Sequence, residues 1–180
     1  PAKGLFLDNE LNPSIFTPLR RDEVEAAGKS ILFLLETNPG PGLGVLCAYF
    51  VFSKGMPKES APGAIIIHFF GGIHEVYFPY ILMYPPMILA TIAGGMSAVT
   101  VFVMTGAGLV GPPAPGSIMM DFIMAPKGGL LPVLAGVGIS AAVSFLVASV
   151  LIKMSKELSG RDLDKAKKQV KDYLEKINTK

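Results

Sequence analysis

"HFFGGIHEVYFPYILM", His68 to Met83, is the stretch on which the fold of this chain turns. It places both histidines of the chain and one glutamate inside a strongly apolar run, and it interrupts that run with Gly71-Gly72. A charged side chain at the centre of a bilayer costs at least about 2.5 kcal/mol, so an acid in such a run calls for a partner or a ligand. A Gly-Gly pair lets the chain reverse or lets another backbone come close.

Composition outside this stretch agrees with a membrane setting. Of 180 residues, 51% are hydrophobic and 17% charged, which differs from an ordinary soluble domain. From residue 60 to residue 126 there is no Lys or Arg, and the acids are Glu75 and Asp121. Nine of the sixteen basic residues lie from Lys153 onward. The formal charge of +2 is small and concentrated in the tail, which gives no footprint for nucleic acid. The single Cys47 provides neither a disulfide framework nor paired-Cys metal spacing. No phosphate-binding loop stands in a strand-turn-helix context and no GxSxG elbow occurs, so the sequence implies no metal and no cofactor. The chain begins without Met and without a cleavable signal pattern, and the expectation is a piece of something longer.

Four stretches reach the roughly 20 residues that a helix needs to cross a hydrocarbon core. The first, about 29–52, is weakened near its middle by Pro39 and Pro41 with Gly40, Gly42 and Gly44. The second, about 61–83, carries Gly71, Gly72 and Pro79, and is expected to dip in and return rather than cross. The third, about 86–110, and the fourth, about 129–152, are more continuous. Gly111 to Gly129, "GPPAPGSIMMDFIMAPKGG", is too broken for a straight span and too apolar for an exposed loop, so a re-entrant or interfacial segment is expected. Such backbone is tolerated at membrane depth where protein or a watery cavity covers it. The basic residues after the fourth span place the C-terminus in the cytoplasm. From Asp162 onward, Leu163, Ala166, Val170, Tyr173, Leu174 and Ile177 recur at helical spacing, the pattern of an amphipathic helix. The fold class expected is therefore all-α, a polytopic helical membrane protein with broken or re-entrant segments and a cytoplasmic amphipathic tail. Its parts are a connecting segment over 1–28, a membrane domain over 29–153 and a linker helix over 154–180.

The polar groups in the apolar runs are the candidate site. Glu75 and His74 beside Gly71-Gly72, followed by Tyr77, Phe78 and Tyr80, suit a sugar: a carboxylate for hydroxyl donors, an imidazole, and aromatic faces for C–H patches. A Glu–His pair locking two helices together is the other reading. Glu36 and Asn38 form a second cluster at the break before Pro39, where Asn38 could equally cap freed backbone. His68 is expected to be a satisfied core histidine, and Asp121 an interfacial residue without a ligand role.

"LLETNPGPGLG" (Leu34–Gly44), "SAPGAIIIHFFGGIHEVYFPYILM" (Ser60–Met83) and "PGSI" (Pro115–Ile118), in this order, resemble the C-terminal half of the membrane (IIC) component of the mannitol permeases of the bacterial phosphoenolpyruvate-dependent phosphotransferase system. The resemblance covers about Pro1 to Met154. It implies a protein of the bacterial cytoplasmic (inner) membrane that takes a hexitol, mannitol or a relative, from the periplasm and delivers it to a phosphocysteine on a cytoplasmic IIB domain. It also implies an N-terminal IIC half and, in the complete protein, a homodimer. By the same resemblance Glu75 and His74 fall on the family's sugar-binding "GIHE" motif, and Glu36 on an acidic position of that site. In "LDNELNPSIF" Asn12 keeps a polar Asn of the family pattern, but Pro13 replaces its His and Asp8 its first Asn. Glu75 is in addition a candidate general base for the attacking hydroxyl, ranked below a binding role. The competing expectations are a non-catalytic membrane fragment and a proton-coupled polyol carrier.

Overall fold

The computed structural model describes residues 28–178, with side chains over 28–155. Asn12 and the rest of the expected connecting segment lie outside the described residues, as do the side chains on which the amphipathic reading of the tail rests. The described elements are α1 (Leu32–Thr37), α2 (Gly40–Phe52), α3 (Met56–Phe69), a 3-10 turn (His74–Tyr77), α4 (Phe78–Met83), a second 3-10 turn (Pro85–Met87), α5 (Ile88–Thr105), α6 (Ile118–Met124) and α7 (Leu130–Asn178). The fold is all-α, and among the described residues the extended pairing is an isolated bridge between Ser30 and Leu109.

Among the described residues two segments are helical, long and apolar enough to cross a membrane, Pro85–Thr105 and Leu130–Ser155. At about 1.5 Å per residue they reach roughly 31 and 39 Å, against a hydrocarbon core of about 30 Å. The other two candidate spans are each divided. The first breaks at Asn38-Pro39, and Pro41 then falls in the first turn of α2, where a missing N–H leaves no bond unmade. The second breaks after α3, where Gly72 takes φ 72°, a conformation open to glycine.

Small residues set how the helices meet. A Cβ on Gly40 would stand 2.6 Å from Ser140, and one on Gly44 2.5 Å from the Ala141 carbonyl. The rings of Phe52 and Phe145 lie 5.9 Å apart, and Lys153 Nζ lies 4.7 Å over Phe52. These pairs rise together in sequence, so α2 and α7 run parallel. Helix α5 runs the other way: Gly94 meets Ser140 and Ser144, Gly136 meets the Phe102 ring, and Ala90 clusters with Ala148 and Ile152. Serines of α7 tie the three together, Ser140 Oγ donating to Gly94 O (2.8 Å) and Ser144 Oγ to Pro41 O (2.7 Å). Small residues and interhelical hydroxyl bonds are the means by which helices associate in lipid, where burial of apolar surface supplies no drive.

The outer surface is the reverse of a soluble protein's. Met104 is 80% exposed, Leu131 78% and Leu82 77%, while Ser140 and Ser144 are buried completely. Helix α5 shows the division along its length: Ala90, Gly94, Ala98 and Phe102 face inward at four-residue spacing, and Ile92, Met96 and Val103 face out. This is the face of a helix solvated by acyl chains.

Helix α3 runs back along α2, bringing His68 to the level of Pro39, and α4 returns so that Tyr80 O accepts from Tyr49 Oη (2.7 Å) and Tyr80 Oη pairs with Ser60 Oγ (2.8 Å). The α3–α4 unit is thus a hairpin that begins and ends near the Phe52 and Lys153 end. Beyond Ser155 helix α7 continues as one helix with the fourth candidate span as far as Asn178.

Gly44→Leu, which has no room against α7, should lower the thermal stability of the detergent-solubilised protein by about 1–3 kcal/mol or more, the range for overpacking. Gly63→Ala, facing open space, should leave it nearly unchanged, and equal losses in the two variants would refute this account of the α2–α7 contact.

Candidate functional site

Three interruptions of regular backbone meet at one place. They are the α1–α2 break at Asn38-Pro39, the tip of the α3–α4 hairpin, and the Pro-rich segment that leads through Ser117 into α6. Each freed backbone group there must find a partner, since leaving one buried and unpaired costs about 1–3 kcal/mol.

The α1–α2 break is held by Asn38, whose Oδ1 accepts from Gly40 N–H (3.0 Å) and whose Nδ2 donates to Ser140 Oγ (3.3 Å). The capping reading of Asn38 therefore describes its side chain. Pro39 O accepts from Leu43 N–H at 3.0 Å and from His68 Nε2 at 2.9 Å. A carbonyl only accepts, so His68 carries its hydrogen on Nε2. His68 is fully buried, the satisfied core histidine expected of it on that nitrogen. Gly42 makes room for it, because a Cβ there would meet His68 Nε2 at 2.5 Å and the Tyr77 ring at 2.6 Å.

The hairpin tip docks on the third element. His74 Nε2 donates to Gly116 O (2.8 Å), and the His68 and His74 ring centroids are 4.7 Å apart. Gly72 presses backbone to backbone, since a Cβ on it would stand 2.7 Å from Ser117 N. Gly116 in turn faces Thr37 at the end of α1. Ser117 caps α6, its side chain accepting from Met120 N–H (3.4 Å), and Asp121 follows one turn later, completely buried.

Of the residues singled out from the sequence, the structure brings His74 and Asn38 to this junction, half-buried, and places Glu75 and Glu36 at its edge, both exposed. Glu75 opens the 3-10 turn that follows Gly72. The arrangement offers carboxylates, amide and imidazole groups and the Tyr77 ring beside broken backbone, a set suited to a neutral, hydroxyl-rich ligand. Among the described residues no cluster of His, Cys, Asp and Glu could hold a metal. A pocket of about 400 Å³ lies elsewhere, at the Thr105 and Gly129 end, lined by Lys29, Gly106, Lys127 and Pro132 among others. Sequence reading missed Thr37 and set Asp121 aside as interfacial. The available signal was Ser117 before an apolar run, an N-cap pattern that puts residue 121 on the capped side of the helix.

Comparison with known proteins follows the same residues. A family model described as "Phosphotransferase system, EIIC" matches residues 23–95. The mannitol-specific EIICB component of Geobacillus stearothermophilus is 58% identical over 166 residues, 92% of this chain and 35% of that protein. That of Bacillus subtilis is 58% identical over 156 residues, 87% of this chain and 33% of its own length. The mannitol-specific EIICBA component of Escherichia coli is 51% identical over 172 residues, 96% of this chain and 27% of the relative. The chain thus spans about a third of the length of the curated relatives it matches. No solved structure matches it.

Gly72 and Gly55 both take positive φ, at 72° and 68°, but a Cβ on Gly55 meets open space. Gly72→Ala should therefore cost more stability than Gly55→Ala, by about 1–3 kcal/mol from the added backbone clash. Equal thermal shifts for the two would mean that the tips do not touch.

Proposed function

We propose that this chain, a relative of the mannitol-specific EIIC components of the phosphotransferase system, is the C-terminal part of a permease that binds mannitol or a related hexitol and passes it inward for phosphorylation by a IIB domain. The observation that carries this reading is the meeting of the "GGIHE" tip with the "NPGPG" break and the "PGSI" tip, the three stretches on which the resemblance rests. Support also comes from the names of the relatives, all of them mannitol-specific.

Glu75 accepts hydrogen bonds from sugar hydroxyls, its exposure at the tip leaving it open to a ligand. His74, anchored through Nε2 to Gly116 O, orients the tip and presents its other nitrogen. Asn38 holds the break, Glu36 adds a second carboxylate near it, and Asn12 contributes from the segment before α1. Phosphoryl transfer to a sugar hydroxyl is mainly positioning and charge stabilisation, so binding is the first role of Glu75 and proton acceptance the second. The N-terminal IIC half completes the site, IIB supplies the phosphocysteine, and the complete protein is a homodimer in the bacterial inner membrane.

The topology supports a cytoplasmic C-terminus. Lys54 follows α2 and Lys58 lies in the first turn of α3, at the end where Lys153 lies over Phe52, while Lys29 and Lys127 lie at the opposite end; with the basic residues from Lys156 onward the first side carries the excess, as cytoplasmic faces do. In a form with Cys47→Ser, Lys171→Cys should resist impermeant thiol reagents on intact cells and react after lysis. Rapid labelling from outside would reverse the orientation and remove access to IIB.

Glu75→Gln in the complete protein should weaken mannitol binding by about 1.5–3 kcal/mol, the range for a hydrogen bond to a charged group, or roughly ten- to 150-fold. Unchanged affinity in a folded variant would take Glu75 out of the site.

A further inference from the structure

Asp121 has no part in the sugar site just described, yet its burial is complete. Among the described residues, neither carboxylate oxygen has a hydrogen-bond partner. An isolated ionised carboxylate in such a place is costly enough that the group takes up a proton instead.

No cation of the described residues acts on it. Among the described residues Lys29 is bonded to Gly106 O, and Lys127 is exposed at the separate pocket. From α1, Thr37 stands beside the carboxyl, and Glu36, next to it in sequence, is exposed. From the hairpin tip, His74 is engaged with Gly116 O. Helices α5 and α7 contribute Phe102, Val133 and Val137 to the cluster that takes in Ile118 of α6. The Thr37 hydroxyl donates to Phe33 O at 2.7 Å; turned toward Asp121 it would favour the carboxylate, an effect smaller than the burial that opposes the charge.

We propose that Asp121 is a proton-binding site: it is a neutral acid while the "PGSI" tip is docked on α1, and it releases the proton to water when that tip moves away. Charging Asp121 in place would bury an anion without a partner among the described residues, so ionisation favours the undocked tip. Proton occupancy is thereby coupled to whether the polar junction is closed or open, and this holds whatever ligand the junction takes.

Asp121 lies outside the two spanning helices, and burial pushes its carboxyl up to about 7. An acid whose folded pKa is raised binds more protons folded than unfolded. The folded state therefore loses stability as pH rises from the ordinary aspartate value, about 3.9, to about 7, and loses no more above that.

The test uses the complete protein in membranes. At about pH 6, where an ordinary aspartate is ionised, the infrared spectrum should contain a carboxylic-acid C=O band that is lost in Asp121→Asn, an isostere of the neutral acid. Thr37→Val should shift that band without removing it. The melting temperature of Asp121→Asn relative to wild type should increase with pH up to about 7 and then level off. A band retained in Asp121→Asn, a band unmoved in Thr37→Val, or parallel melting curves across pH would overturn the proposal. Should Asp121→Asn fail to insert, wild type and Thr37→Val decide it: no acid band in wild type, or one that Thr37→Val leaves in place, refutes it.

Discussion

The carbonyl oxygen of Pro39 is the point on which the polar junction depends. It accepts from the backbone of α2 and from His68, which arrives on the hairpin from well along the chain. A helix that starts at a proline break leaves carbonyl and N–H groups without neighbours, and a membrane offers no water to take them up. Asn38 satisfies the Gly40 N–H, and Pro39 O, already bonded to Leu43 N–H, gives the buried His68 Nε2–H its acceptor. The hairpin must therefore reach this level before it turns, which fixes the length of α3, and Gly42 must lack a side chain for the imidazole to arrive. The docking of His74 on Gly116 extends the same pattern to the third element.

Around that junction the packing follows from the solvent. With acyl chains outside, large side chains gain little by turning inward, and the close approaches are made by Gly40, Gly44, Gly94 and Gly136. Serine hydroxyls of α7 then bond across the narrow gaps. Each such bond is modest, about 0.6 kcal/mol on average between membrane helices, so the contact depends on close fit along the whole seam rather than on any one serine.

The sequence revealed much of this where the determinant is local. Continuous apolar length identified α5 and α7, the Gly71-Gly72 pair placed the hairpin turn, and "NPGPG" placed the break that begins α2. What it could not reveal was which break meets which, since that rests on contacts such as His74 with Gly116, 42 residues apart, and Asn38 with Ser140, 102 apart. Hydropathy likewise gives Glu75 and Asp121 the same standing, as lone acids in apolar runs. Folding separates them, leaving Glu75 at the surface of a tip and sealing Asp121 beneath another. The pocket between Lys29 and Lys127 had no local signal, because it is formed by three segments distant in sequence.

Helix α7 runs as one element from Leu130 to Asn178. Past Ser155 it continues for roughly 35 Å at about 1.5 Å per residue. Such a rod is a lever whose fulcrum is the seam of glycines and serines. From Ser144 in that seam to Asn178 the arm is roughly 51 Å, so a tilt of about 10° would sweep its far end through roughly 9 Å, by that length and simple geometry. A small rearrangement among the tips would reach that distance as a lateral displacement, and whatever the helix carries there would be towed with it.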